Sequence, residues 1–432
     1  MMLSEYRPEH PLPLMFPMEQ AFAGRAVPLD YQLAIREALE PLQFRIRSGM
    51  RIGIAVGSRG ISGLSIMVQA VVDHLLSLGT IPIILPAMGS HGGATAEGQS
   101  AVLASYGVDS KKLGVPVEAS MATVQVGETD WGTPVYWSLP ASKLDGVLLI
   151  NRIKPHTDFK GNLGSGILKM LVVGLGKRDG ASAFHRASIQ YGYETVLRKY
   201  AAMLLKKMPV IGGVGIIENA LHETNHIAFI PAELAVQKEE SLFASALELM
   251  PRLPFDNLDL LIIDRIGKNI SGSGMDPNIV GRGVHGYSTD FSLQTEFPRI
   301  KRIMVRTLTP ESHGNAIGVG MADFTTSRLI RTMDPKTSFV NAVTAMTMNG
   351  AKMPIHFETD QEVIQWALSS LVVPDTRQAR ILRIKDTLNL DLMEASENLL
   401  EDAKSHSQVH LKGEPVPMEF DAEGNLKELA ED

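Results

Sequence analysis

Cysteine is missing altogether from the 432 residues. That excludes disulfides, cysteine nucleophiles, cysteine zinc sites and iron–sulfur clusters held by the protein. A metal bound here takes His, Asp or Glu, or donors that a cofactor brings with it. The absence also fits a reducing compartment. An excess of basic residues is missing too. The formal net charge is −7, so no basic face for nucleic acid is expected. No apolar run approaches the roughly 18–20 residues that would span a membrane, and no membrane partner is expected. The opening stretch, MMLSEYRPEHPLPLMF, has no basic segment followed by an apolar one. No signal peptide is therefore read, and the cytoplasm is the expected location.

Enough apolar residues remain, at 44% of the chain against 21% charged, to bury a large core. The length suits two or three domains. Arg51–Ser58 (RIGIAVGS) reads as a short buried strand. Gly63–Gly79 has helical apolar spacing and a closing glycine. Ile81–Gly93 reads as a second strand running into a glycine-rich loop, and Leu144–His156 as another strand. This alternation predicts an α/β fold: two α/β domains with largely parallel sheets and an active site in the cleft between them. The N-terminal catalytic and cofactor-binding domain is placed at 1–256 and the C-terminal α/β domain at 257–391, after the linker MPRLPFDN. The polar tail 392–432 contains PMEFDAEGNL, which suits a final hairpin returning to the first domain.

In open parallel sheets, ligands sit beyond the carboxyl ends of the strands. Three predicted strands end in polar loops: Val56–Gly60 (VGSRG), Met88–Gly93 (MGSHGG) and Asn151–Asp158 (NRIKPHTD). They would gather Ser58, Arg59, His91, Lys154 and His156 on one sheet edge. A lone loop histidine is more often solvated than catalytic. Two on one edge, one flanked by glycine and one following proline, favour a functional reading. Arg59 suits a carboxylate or a phosphate as partner.

Gly161–Met170 (GNLGSGILKM) has a G-x-x-G-x-G turn entering a helix, a pattern that can cradle phosphate, though it is not a Walker A motif. Lys169 has a bland alternative as a lysine snorkelling from an amphipathic helix. His185 follows 16 residues later, about 24 Å away along one straight helix. The glycines of Gly174–Gly180 (GLGKRDG) break that helix and permit His185 to return to the same pocket.

In order along the chain, the GSH loop, the KPH loop, and a Lys followed by a His in a glycine-rich region resemble the nickel-pincer-nucleotide-dependent lactate racemase family. Ile266–Arg282 and His313–Leu329 resemble second-domain motifs of a divergent branch of that family. The resemblance implies a racemase or epimerase of a 2-hydroxy acid. Lys169 would tether the nickel-pincer nucleotide, a pyridinium mononucleotide with two sulfur donors and one carbon donor to nickel. His185 would be the protein's nickel ligand, and His91 and His156 the acid–base pair. Arg59, Gly164, Ser165 and Lys268 would contact cofactor or substrate. Enzymes that make and insert the cofactor would be partners. Gly57 and Ser58 stand where the family's lactate enzymes carry an Asp, which directs the expectation to another 2-hydroxy acid.

Two further readings compete. A non-catalytic nucleotide-binding protein of the same fold would not need two acid–base histidines. A dehydrogenase would need a G-x-G-x-x-G fingerprint, which GIAVGSRGISG does not supply, and no hydrolase nucleophile signature is present. His222, Glu223 and His226 have metal-ligand spacing but read as a loop, and His285 and His313 flank glycine-rich loops in the second domain.

Overall fold

A computed structural model describes residues 7–22, 29–58, 60–157, 161–283, 298–345 and 347–429. The chain divides into two compact units, Gly24–Met250 and a second made of Met1–Ala23 with Pro251–Asp432.

The chain's first strand, β1 (Met15–Gln20), belongs to the second unit. The unit Gly24–Met250 then runs α1 (Tyr31–Leu39), β2 (Arg51–Val56), α2 (Leu64–Ser77), β3 (Ile81–Pro86), α3 (Ala96–Ser105) and α4 (Ser110–Leu113). It continues through β4 (Thr123–Glu128), β5 (Pro134–Ser138), β6 (Gly146–Arg152), α5 (Ile167–Lys169), α6 (Lys177–Tyr191) and α7 (Tyr193–Lys207). It closes with β7 (Val210–Glu218), β8 (Thr224–Pro231) and α8 (Ala235–Glu248).

Its five-stranded sheet has the order β3-β2-β6-β7-β8. The first four strands are parallel and β8 is antiparallel to β7. β4 and β5 form a separate antiparallel pair. Residues of a strand alternate between faces. Ile52, Ile54 and Val56 accordingly pack with Ile35, Leu39, Met67, Val68 and Val71 of α1 and α2 on one face. Ala55 of β2, Leu85 of β3, and Val147 and Leu149 of β6 pack with Phe184, Tyr193 and Tyr200 on the other. A sheet buried on both faces explains why these strands are apolar throughout rather than alternating. Helix ends are set locally. The Asp30 side chain accepts from the N–H of Gln32 and of Leu33 to start α1, and Thr95 caps α3 at Gly98.

The second unit holds an eight-stranded sheet. After β1 come β9 (Asn257–Ile266), β10 (Arg299–Leu308), β11 (Phe324–Thr326), β12 (Ile355–Phe357), β13 (Ile381–Ile384), β14 (Leu392–Ser396) and β15 (Val409–Leu411). Their order is β12-β11-β10-β9-β13-β14-β1-β15. The run from β12 to β13 is parallel, and β14, β1 and β15 add antiparallel partners. The mixed α/β class with mostly parallel sheets is thus as expected. The tail does pair with the N-terminal segment, β15 on β1, but both strands lie in this sheet. A bridge between Phe420 and Leu426 forms the tail hairpin, and Leu426 packs on Leu260, Ile262 and Met304. Among the described residues, no helix is long and apolar enough to cross a membrane.

Candidate functional site

β3, β2, β6 and β7 are parallel, so their carboxyl ends share one edge. The chain reaches β3 on one side of β2 and β6 on the other, which puts the topological switch between β2 and β6. That is where open α/β sheets form their binding crevice. The loops after β2, β3 and β6 carry Ser58, His91 and Lys154 with His156.

His91 ends the loop after β3 and its side chain is exposed. Gly92 follows with φ +64, and a Cβ there would stand 2.6 Å from the carbonyl carbon of Gly98. Only glycine lets the loop pass that close to α3. The Ser58 hydroxyl is hydrogen-bonded to His91 Nδ1, so the loop after β2 orients the imidazole of the loop after β3. The Tyr106 hydroxyl in turn donates to the Ser58 carbonyl at 2.9 Å.

The loop after β6 is bound to the Lys169 segment. Asn151 Nδ2 donates to the Gly166 carbonyl at 2.7 Å. Lys154 and Ser165 exchange backbone bonds of 2.9 and 2.8 Å. α5 passes into a π-helical turn, Met170–Gly174, before α6 begins. Such turns are frequent at functional sites. The turn lies against two strand ends. A Cβ on Gly57 would come within 3.1 Å of Met170 Cε, and the Gly89 N–H donates to the Gly174 carbonyl at 3.0 Å.

Tyr193 is the centre of this arrangement, and nothing in the sequence pattern singled it out. Its ring lies 4.9 Å, centroid to centroid, from His156. Lys169 Nζ stands 5.9 Å above the same ring and 3.4 Å from Ser165 Oγ. The Tyr193 hydroxyl donates to the Gly164 carbonyl at 2.7 Å. Phe184 packs edge-on against Tyr193 at 5.5 Å and lies 5.9 Å from the His185 ring, which is exposed on α6. Tyr193 therefore gathers His156, Lys169, Gly164 and, through Phe184, the helix of His185. Burial holds its phenol well above the usual range, and the nearby Glu239 adds to that shift.

Two buried ionisable groups lie beneath these residues. Glu239 of α8 is fully buried and accepts from the Leu168 N–H at 2.9 Å, with the Ile167 N–H as a weaker neighbour. Its Oε1 has no full hydrogen bond among the described residues. Burial raises the carboxyl to about 8, against the lowering effect of both amides. This carboxyl group occupies the start of the short helix, and the Ser165 N–H is taken by Lys154. The glycines of the turn serve close packing: a Cβ at Gly164 would overlap the Lys154 carbonyl, and one at Gly166 the Glu239 carboxylate. Glu239 had a legible signal. Ala235, Glu239, Phe243 and Ala246 share the buried stripe of α8, so a charged residue stands in an apolar row. The other group, Lys177 at the start of α6, is 2% exposed, and burial lowers its amine to about 8.

Arg59 lies outside the described residues, as does His285. Lys268 belongs to the other unit, where its Nζ donates to the Gly272 carbonyl at 2.6 Å and to Asn341 Oδ1 at 3.1 Å. His222 sits in the β7–β8 turn with φ +60, His226 is on β8, and His313 follows a short turn of the second unit. No group of three His, Asp or Glu side chains positioned for a metal occurs among the described residues. A cavity of about 390 Å³ borders α6, lined by Tyr136, Asp179, Ser182, Arg186 and Gln190 among others, and none of the sequence-predicted residues lines it.

No family model matches the chain, and no curated protein matches it. Among solved structures it is similar to the lactate racemase apoprotein from Thermoanaerobacterium thermosaccharolyticum, with a TM-score of 0.47 and 14% identity. That likeness covers 86% of this chain and 89% of the other.

Proposed function

We propose that the chain is a racemase or epimerase of a 2-hydroxy acid, working with a nickel-pincer nucleotide tethered to Lys169. The observation that carries this reading is the shared Tyr193 ring, which has His156 and Lys169 as neighbours, at the sheet edge where Ser58 orients His91. The motif resemblance supplies the identity of the reaction.

The residues present suit the cofactor. Lys169 is a half-buried primary amine beside a hydroxyl and an aromatic face. His185 offers one imidazole, a ligand type that suits nickel. The chain has no cysteine, so soft sulfur donors would come with the nucleotide. Once bound, the group would supply a hydride acceptor that later returns the hydride.

The chain's own residues handle the protons and the substrate. A 2-hydroxy acid loses its hydroxyl proton as hydride leaves the carbon, and the planar keto acid takes hydride back on its other face. The two enantiomers present their hydroxyls in two places, so two bases are required. His91 and His156 fill these roles, since histidine can accept and return a proton near neutral pH. The Ser58 contact holds His91 through Nδ1, and proton transfer would then fall to Nε2. Arg59, Lys154 or Lys268 would anchor the substrate carboxylate.

The test is the intact mass and nickel content of chain co-expressed with cofactor-making enzymes, followed by a chiral assay on a panel of 2-hydroxy acids. A nickel-bearing adduct should form and should vanish in Lys169→Ala. His91→Ala and His156→Ala should keep the adduct and lose roughly 10²–10⁴-fold in turnover. No adduct under conditions that load a known family member would leave a nucleotide-binding protein as the better reading.

A further inference from the structure

The loop that carries His91 is held from below by a side chain the proposed reaction does not use. Lys177 Nζ donates to the Pro86 carbonyl, at the end of β3, at 2.5 Å and to Gln99 Oε1 at 3.1 Å. Gln99, which has no exposure to solvent, passes the contact on. Its Nε2 donates to the Gly89 carbonyl at 2.9 Å and more weakly to the His91 carbonyl at 3.4 Å. The buried amine thus connects the first turn of α6 to both ends of the loop from Pro86 to His91.

Lys177 is an expensive residue for this position on two counts. A buried ammonium held by a carbonyl and an amide oxygen carries a desolvation cost that neutral acceptors only partly offset. Its φ of +54 lies in the left-handed region that non-glycine residues seldom occupy. Glycine would adopt that backbone freely, and leucine would fill the space without a buried charge. Neither could bind the two oxygens. Strain and buried charge tolerated together mark a residue retained for what its end group holds.

We propose that Lys177 and Gln99 are a positioning pair that sets the His91 loop from the helix bearing His185. The significance of that loop rests on the reading of His91 as an acid–base group, but the positioning itself does not. Two variants separate the parts. Gln99→Glu keeps the acceptor for Lys177 and replaces the donor that faces the Gly89 and His91 carbonyls. Lys177→Gly relieves the backbone and removes the amine.

Both are read in the full chain, without cofactor or substrate, by hydrogen exchange and by titration of the histidine rings with carbon-labelled histidine. In each variant, exchange across Ala87–Ala94 should accelerate about 10-fold, the scale of a lost buried hydrogen bond. The His91 titration midpoint should move, while His156 and the amides of β7 stay as in the wild type. Unchanged exchange and titration in folded variants would overturn the proposal. So would equal loosening of the loop and β7, or loss of cooperative folding in both variants, since each points to a purely structural role. Failure of cofactor loading would overturn the racemase reading and leave these results untouched.

Discussion

The two units differ in what meets their most deeply buried ionisable groups. In the second, Arg306 bridges Asp264 at 2.8 Å and Asp360 at 2.7 Å, Arg328 reaches Asp360 at 2.9 Å, and Arg383 pairs with Asp264 and Glu394, each at 2.9 Å. The buried charges among them, Arg306, Asp360 and Arg383, each meet an opposite one. The same network holds the tail, because Asp360 accepts from the Leu426 N–H at 3.0 Å and Arg306 donates to the Leu426 carbonyl at 2.6 Å. In Gly24–Met250, Glu239 and Lys177 are buried among backbone groups and an amide, and both have strongly shifted pKa values. Paired burial braces a sheet. Shifted ionisable groups that rely on neutral partners are concentrated at functional sites, and here they lie beside Lys169 and the His91 loop.

The largest effect should come from breaking the network. Asp360→Ala leaves Arg306, with an 8% exposed side chain, short of one of its two carboxylates. Such a loss should cost about 3–5 kcal/mol in chemical denaturation. A cost below about 1 kcal/mol would show that the paired charges are not what holds this sheet.

Glu239→Gln should give a smaller, pH-dependent effect. The folded carboxyl titrates near 8 against an ordinary value of 4.5, so between these values the folded chain holds a proton that the unfolded chain has lost. Wild-type stability from this group is therefore complete below about 4.5 and is lost as pH rises through about 8. Relative to Glu239→Gln, the wild type should weaken by a few kcal/mol, to order of magnitude, from about pH 5 to about pH 8. Parallel stability curves for the two proteins would mean that Glu239 is charged in the fold, and the contrast with the Asp360 network would disappear.

Asp30→Ala sets the low end of the scale. This exposed carboxylate caps α1 at the Gln32 and Leu33 amides, 3.0 and 3.1 Å away. Its loss should cost about 1 kcal/mol. Urea denaturation of the variant against the wild type would check it.

Much of the first unit was legible from pattern. Strands at Arg51, Ile81 and Leu144 and the helix after Gly63 form close to where their apolar runs and closing glycines placed them. The shared edge for Ser58, His91, Lys154 and His156 followed from strand direction, because parallel strands end together. The ring contact of His156 and Lys169 with Tyr193 was not legible. Tyr193 follows Gly192 at a helix start, and nothing local distinguishes it from any other aromatic core residue. Glu239 becomes legible only when the stripe of its helix is traced, because AVQKEESLF otherwise looks like a charged surface helix.

The sequence by itself determined the alternation of strand and helix, the absence of thiol chemistry and the set of polar loops at one sheet edge. Each is written in neighbouring residues, through periodicity, composition and turn chemistry. Only the tertiary structure decided that Met15–Gln20 joins the sheet built after Pro251, that Lys177 turns inward to the His91 loop, and that the buried carboxyl of Glu239 caps the Lys169 helix. Those outcomes depend on which distant segments pack together, and a side chain's burial and partners are properties of that packing rather than of its sequence neighbours.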